Sequence, residues 1–320
     1  MAVTIDGGGM FSFLMALTLS MALAPVQPAL SVDDYLRDSW YPYTSAVTRQ
    51  TSAPPAAGAP VTRDARRVGV EISARSAVVV DLGSGKELFA KGAGTPQPIA
   101  SITKLLTALT VLESEPDWEG LVTIGGDDVR SGNIPYVIPG EVFRLRDLFD
   151  LSLVASANTA TVALAGSTGL SPAEFADRMN DLADRIGMTD SYFDEPTGLS
   201  PENVASARDV AKLLRRALES PEITRALLRP ELSLRAVTGL RHRVWSTDDL
   251  LHSFLNAPPY EFLGGKTGYL NEAGYCFGAG ARDAQGHGVI AVVLDSESRE
   301  ARFKEVKELI FWAFDAFSWD

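Results

Sequence analysis

"IASITKLLTALTVLE", Ile99 to Glu113, carries Ser101 near its start, places Lys104 three positions later and then runs almost wholly apolar. A helix start ordinarily carries Glu at that third position, because Glu reaches back to the capping serine and suits the positive end of the helix dipole. Lysine has the wrong sign there, by about 0.3–1 kcal/mol. On a helix the two side chains share a face, with Cβ atoms about 5–6 Å apart. A neutral amine so placed can accept the serine proton, and burial in the apolar run lowers a lysine pKa from its ordinary value of about 10.4. The helix N-terminus adds free backbone N–H groups where an oxyanion could form. Alone the pair decides little. A chain of 320 residues holds about one S-x-x-K by composition. A capping serine beside a snorkelling lysine is then the simpler account.

Two further stretches change the balance. "GGKTG", Gly264 to Gly268, lies on a strand-like run near the C-terminal end. Lys266 offers a positive charge and Thr267 a hydroxyl suited to a carboxylate. Gly268 has no side chain, so a substrate backbone could pair against that strand. A hairpin turn explains the Gly-Gly equally well. A Ser-x-Asn occurs twice. Ser131-Gly132-Asn133 sits in a turn-rich loop and reads as a plain turn. Ser156-Ala157-Asn158 sits where two apolar helical patterns meet, a place that can aim short polar side chains into a cleft. We select the second, Ser156 and Asn158.

Around these motifs the composition is that of a globular protein, with 46% hydrophobic and 22% charged residues. The net charge of −12 argues against nucleic acid as a partner. The three histidines form no ligand pair, so no metal and no cofactor are expected. The single Cys276, in a strand-like run, reads as a small buried apolar group. Met10 to Ala24 is an uncharged apolar run, short for a membrane span but suited to a signal-peptide core. It lacks a basic flank, so residues 1–30 are read as a signal peptide or an N-terminal membrane anchor. Residues 31–67, rich in Ala, Pro, Thr and Ser, read as a flexible linker. A folded domain is expected over 68–320.

Within that domain, two strands are predicted around the Gly83–Gly85 turn. Helices are predicted from Ser101, over "LRDLFDLSLVA" and "TATVALAG", after the Ser171 cap and after the Ser206 cap. Three strands then follow from "FLGGKTGYL", and "REARFKEVKELIFWAFDAF" closes the chain as an amphipathic helix. The expected fold class is α/β of the α+β type. One mainly antiparallel sheet is built from both ends of the domain, is flanked by helices and carries an inserted helical subdomain.

With S-x-x-K, S-x-N and K-T-G in that order, the sequence resembles the penicillin-recognising serine enzymes. Within them it looks most like the D-alanyl-D-alanine carboxypeptidases of the S11 peptidase family. The resemblance runs from about Val68 onward and includes "ASITKLLTAL", "PGEVFRLRDLF", "FDEPTGLS", "SARDVAKL", "KTGYLNEAGYC" and "REARFKEVKELIFWAF". It implies Ser101 as acylated nucleophile and Lys104 as its base. It implies Ser156 and Asn158 as proton relay and substrate positioner, Lys266 as electrostatic anchor and Thr267 on the substrate side. Gly268 would leave room for substrate on the strand, and an oxyanion hole would use the N–H groups of Ser101 and Tyr269. Arg302 matches a family arginine associated with the substrate's terminal carboxylate, although an exposed helix arginine accounts for it as well. The implied partners are peptidoglycan stem peptides, with β-lactams as inhibitors. The implied place is the cell envelope, outside the cytoplasmic membrane, in cell-wall biogenesis.

Three positions depart from the family pattern: Ala157 stands for a usual Gly, Thr159 for Asp and Leu270 for Thr. None removes a nucleophile or a base. The C-terminal β-rich domain and amphipathic anchor familiar in the family have no counterpart before Asp320. A tether is therefore expected at residues 10–30. A class A β-lactamase is the nearest rival, with Glu195 as the one tempting water-activating carboxylate. A catalytically silent module that binds peptidoglycan or β-lactams is the other.

Overall fold

The computed structural model describes residues 58–64, 69–132 and 134–319. The apolar segment at 10–30 and most of the linker lie outside the described residues, as does Asn133. Among the described residues, no helix is long and apolar enough to cross a membrane. In chain order the main elements are β1 (Ser76–Asp81), β2 (Glu87–Lys91), α1 (Lys104–Leu112), α2 (Leu145–Val154), α3 (Asn158–Gly166), α4 (Pro172–Arg185), α5 (Ala207–Leu218) and α6 (Pro221–Leu227). They continue with β3 (Glu231–Arg235), β4 (Arg241–Trp245), β5 (Glu261–Leu270), β6 (Gly274–Arg282), β7 (Gly288–Ser296) and α7 (Arg299–Ala316).

Five strands form one antiparallel sheet in the order β5-β6-β7-β1-β2. Both ends of the domain therefore meet in it, with β1 beside β7, and the helices between β2 and β5 form the second body. Alternation sorts the strand residues to two faces. Val78, Ile290, Val292 and Leu294 join the core shared with α1 to α5. Ala77, Val79, Val289, Ala291 and Val293 pack on the other side against Val306, Leu309, Ile310 and Ala313 of α7. Cys276 is wholly buried, and burial pushes its thiol up to about 12, so it has no thiolate chemistry near neutral pH.

Helix ends follow local chemistry. The Ser171 hydroxyl accepts from the Glu174 amide and the Glu174 carboxylate accepts from the Ser171 amide, with Pro172 at the first helical position. Ser206 caps α5 and Ser298 caps α7. By contrast α1 has no side-chain cap. Ala100–Thr103 is a tight 3₁₀ turn that feeds directly into it, where a helix from Ser101 onward was expected. Lys104–Val111 are buried all round, making α1 the central helix of the domain. Inside the stretch read as linker, Val61–Thr62 pair antiparallel with Phe317–Ser318.

Candidate active site

The 3₁₀ turn answers the puzzle of Ser101 and Lys104. In such a turn residues i and i+3 eclipse, which stacks the lysine over the serine. The Lys104 amine lies 2.8 Å from Ser101 Oγ. It also donates to Asn158 Oδ1 at 2.8 Å and to the Thr197 carbonyl at 2.6 Å. A neutral amine has two hydrogens and one lone pair. Asn158 and Thr197 take the two hydrogens, which leaves the lone pair for the Ser101 hydroxyl. Lys104 is wholly buried, and burial brings its pKa down to about 7, with the Glu195 carboxylate pulling the other way. Ser101 is itself partly exposed, so the pair has a buried base and a reachable hydroxyl.

Backbone constraints fix this geometry. Ala100 adopts φ +48°, an uncommon left-handed conformation for a residue with a side chain. Gly198, at φ +80°, lies against it, and a Cβ there would come within 2.0 Å of the Ala100 carbonyl oxygen. Gly268 meets the turn from the other side, where a Cβ would sit 2.4 Å from the Ile99 carbonyl and 3.3 Å from the Ser101 amide nitrogen. Only glycine admits approach this close from both flanks. The loop carrying Thr197 is stitched to α1 by Thr107 Oγ1 donating to the Pro196 carbonyl at 2.6 Å and Asn203 Nδ2 donating to Thr103 Oγ1 at 3.2 Å. The Glu195 carboxylate holds that loop from inside, accepting from Thr197 N and Thr197 Oγ1 at 2.7 and 2.6 Å and from Leu199 N at 2.8 Å.

A second lysine–serine pair faces the first. Lys266 on β5, also buried, donates to Ser156 Oγ at 2.9 Å and to the Thr267 carbonyl at 3.1 Å. Ser156 sits between α2 and α3 with φ +56°, the sharp bend that turns its hydroxyl toward β5 and leaves Asn158 at the start of α3 facing Lys104. Burial lowers the Lys266 pKa well below its ordinary value, the Lys104 and Arg302 charges lower it further, and Asp248 opposes them. Lys266 therefore holds its proton less readily than an exposed lysine, and a nearby anion favours the charged form. Asp248 is buried with one carboxylate oxygen bonded to the Leu250 amide, and burial raises its pKa to about 7.

Thr267 Oγ1 lies 2.7 Å from Thr247 Oγ1. Arg302 is buried rather than an exposed helix arginine, and its Nη1 donates to the Gly268 carbonyl at 3.0 Å behind β5. Tyr269 is half exposed at the rim and packs on Tyr275, with ring centroids 4.5 Å apart. The structure therefore brings Ser101, Lys104, Ser156, Asn158, Lys266, Thr267, Gly268, Tyr269 and Arg302 to one place.

The other Ser-x-Asn is no plain turn. The Ser131 carbonyl accepts from Asn158 Nδ2 at 3.1 Å, and the Arg130 amide donates to Thr159 Oγ1 at 3.1 Å. That loop buttresses Asn158 through its backbone, and Thr159, a departure from the family pattern, holds it. Ala157 has φ −70°, so no glycine is required there. Sequence reasoning missed the Thr197 carbonyl, Thr247 and Asp248. Only the close packing at Gly198 could have pointed to the first, and nothing in the pattern pointed to the other two.

Comparison with known proteins gives the family and the fold. The profile of the peptidase S11 family, described as D-alanyl-D-alanine carboxypeptidase, matches residues 61–298. The chain is 30% identical over 270 residues to a D-alanyl-D-alanine endopeptidase of Pseudomonas aeruginosa, covering 83% of each. It is 30% identical over 253 residues to the D-alanyl-D-alanine carboxypeptidase DacF of Bacillus subtilis, covering 76% of this chain and 63% of that one. Among solved structures, 77% of the chain superposes on 99% of penicillin-binding protein D2 of Listeria monocytogenes in its ampicillin-bound form, with a TM-score of 0.66 and 30% identity. The same share superposes on 99% of a Streptomyces DD-transpeptidase variant, with a TM-score of 0.71 and 25% identity.

Proposed function

We propose a residue-level mechanism from one premise: this chain belongs to the S11 peptidase family of D-alanyl-D-alanine carboxypeptidases, serine hydrolases of the bacterial cell wall. Ser101 Oγ attacks the carbonyl between the two terminal D-alanines of a stem peptide. Lys104, whose pKa of about 7 leaves it neutral above that pH, takes the hydroxyl proton as the bond forms. The backbone N–H groups of Ser101 and Tyr269 hold the oxyanion. The proton passes from Lys104, through the Ser156 hydroxyl, to the leaving amine, and free D-alanine departs. Water then enters, gives its proton back along the same path and releases the shortened peptide from Ser101.

The substrate ends in a carboxylate, which adds to Asp248 a second anion for Lys266. Its approach favours the charged form of Lys266, and Thr267 offers a hydroxyl beside it. Arg302 supports the same strand through the Gly268 carbonyl and adds positive charge behind it. Asn158 orients the base and the substrate together. β-Lactams present the same carbonyl and carboxylate, so they are expected to acylate Ser101 as slow substrates.

The observation that carries this reading is the Lys104 amine, buried and flanked by Ser101, Asn158 and Thr197. Glu195 speaks against the β-lactamase rival, because its carboxylate is occupied by the backbone of its own loop. The substrate lies outside the cytoplasmic membrane, so we place the enzyme on that face, exported or tethered through residues 10–30. The test is release of D-alanine from diacetyl-Lys-D-Ala-D-Ala. Wild type should release it and Ser101→Ala should not. Equal release by both proteins would overturn the mechanism.

A further inference from the structure

One exposed surface has no part in this chemistry. The two-stranded ribbon of β3 and β4 buries one face and presents the other to solvent. Leu232, Leu234 and Val244 point into the core. Outward on β4 stand Arg241, Arg243 and Trp245, at the spacing of two that places them on one side. Trp245 is 61% exposed. The Arg243 guanidinium lies over its ring, 5.5 Å from the centroid, and pairs with Glu231 across the ribbon at 2.6 Å. Arg241 faces Arg235 directly in the ladder, which gathers like charge rather than dispersing it. In a chain of net charge −12, this face carries Arg241 and Arg243 beside the exposed indole. A solvent-facing indole set among guanidinium groups is poor solubility design but a common form of recognition surface.

The ribbon is joined to the site. Two residues after Trp245, the Thr247 amide donates to the Val154 carbonyl at 3.1 Å, next to the Ser156 bend. The Thr247 hydroxyl meets Thr267 at 2.7 Å. Two extended residues span about 7 Å, so whatever lies along the ribbon is within reach of the cleft.

We propose that this outward face binds the peptidoglycan polymer beside the stem peptide being cut. The indole packs on the apolar face of a glycan sugar ring. The Arg241 guanidinium pairs with a carboxylate of a neighbouring stem peptide. The inference rests on the proposed function for its choice of polymer. It predicts a split that the catalytic residues do not: long substrates feel the ribbon and short ones do not.

The test uses the full chain and a Trp245→Ala, Arg241→Glu double variant, both changes lying on exposed side chains. Benzylpenicillin acylation and the rate on diacetyl-Lys-D-Ala-D-Ala should stay within about twofold of wild type. Co-sedimentation with purified sacculi should need about tenfold more polymer. Wild-type binding should also weaken as salt rises. Co-sedimentation equal to wild type, or an equal loss on the tripeptide, would overturn the inference. Ribbon-dependent sedimentation without any release of D-alanine would support it while overturning the proposed function.

Discussion

Lys104 and Lys266 are both wholly buried, and each sits within 2.9 Å of a serine hydroxyl. They differ in what surrounds them. Lys104 faces an amide oxygen and a peptide carbonyl, with the Glu195 carboxylate as the charge that favours its proton. Lys266 faces Arg302 and Lys104, whose charges resist its proton, with Asp248 alone favouring it. The serines differ too: Ser101 is partly exposed, and Ser156 is only 8% exposed. On the proposed mechanism, the more exposed serine meets the substrate and the buried one passes a proton. The same two residue types then form, on that mechanism, a nucleophile with its base in one case and an anion receiver in the other.

The hardest way to break this comparison is to delete each hydroxyl. Ser101→Ala should abolish the covalent adduct with benzylpenicillin altogether. Ser156→Ala should still form it, slower by roughly 10²–10⁴. Intact-protein mass over time reads both. An adduct on the first variant would exchange the two serines' roles.

Arginine substitution sharpens the same contrast. Arginine keeps its charge and cannot deprotonate. Lys104→Arg should therefore lose about 10³-fold or more in acylation rate. Lys266→Arg should keep a larger share, within about 100-fold of wild type, because a charge is what that position supplies to an anion. Stopped-flow acylation of the two variants decides. Comparable losses would mean that size, not charge, governs both sites.

The pH profile is the next measure. Below about 7 Lys104 gains a proton and ceases to be a base, so acylation should fall roughly tenfold per unit toward pH 5. An alkaline decline should report loss of the Lys266 proton. In Lys266→Arg the acid limb should remain and the alkaline limb should vanish.

The smallest effect is expected at the second motif's middle residue. Ala157→Gly should change acylation less than about threefold and stability by about 1 kcal/mol or less, because Ala157 already has an ordinary backbone conformation. A larger effect would show that the bend at Ser156 depends on that side chain.

Much of the fold was legible because the chain marks it locally. The Ser171–Glu174 box, Pro172 and the Ser206 cap announce α4 and α5. The change to short apolar runs after Tyr260 announces β5 to β7. The ribbon of β3 and β4 went unread. Its alternating Leu232 and Leu234 are few, and its outward residues are charged as in any loop. The site was legible as three short motifs but not as a geometry. Nothing local says that Asn158 reaches Lys104, a contact spanning 54 residues, or that the Thr197 carbonyl completes the base, at a separation of 93. Arg302 was ambiguous because it precedes a buried stripe beginning at Phe303, and only the packing against Gly268 settles that it lies inside. The Ser131 loop reads as a plain turn because its surroundings are rich in turn residues. Its contribution is a backbone carbonyl, which no side-chain pattern encodes.

The central claim is that Ser101 is the nucleophile and Lys104 its base. The most direct measurement is peptide mapping of the protein after brief exposure to benzylpenicillin at pH 5 and pH 8. The account predicts a single acylated residue, Ser101, formed about 100-fold faster at pH 8. An adduct on any other residue, or a rate unchanged between the two pH values, would contradict it.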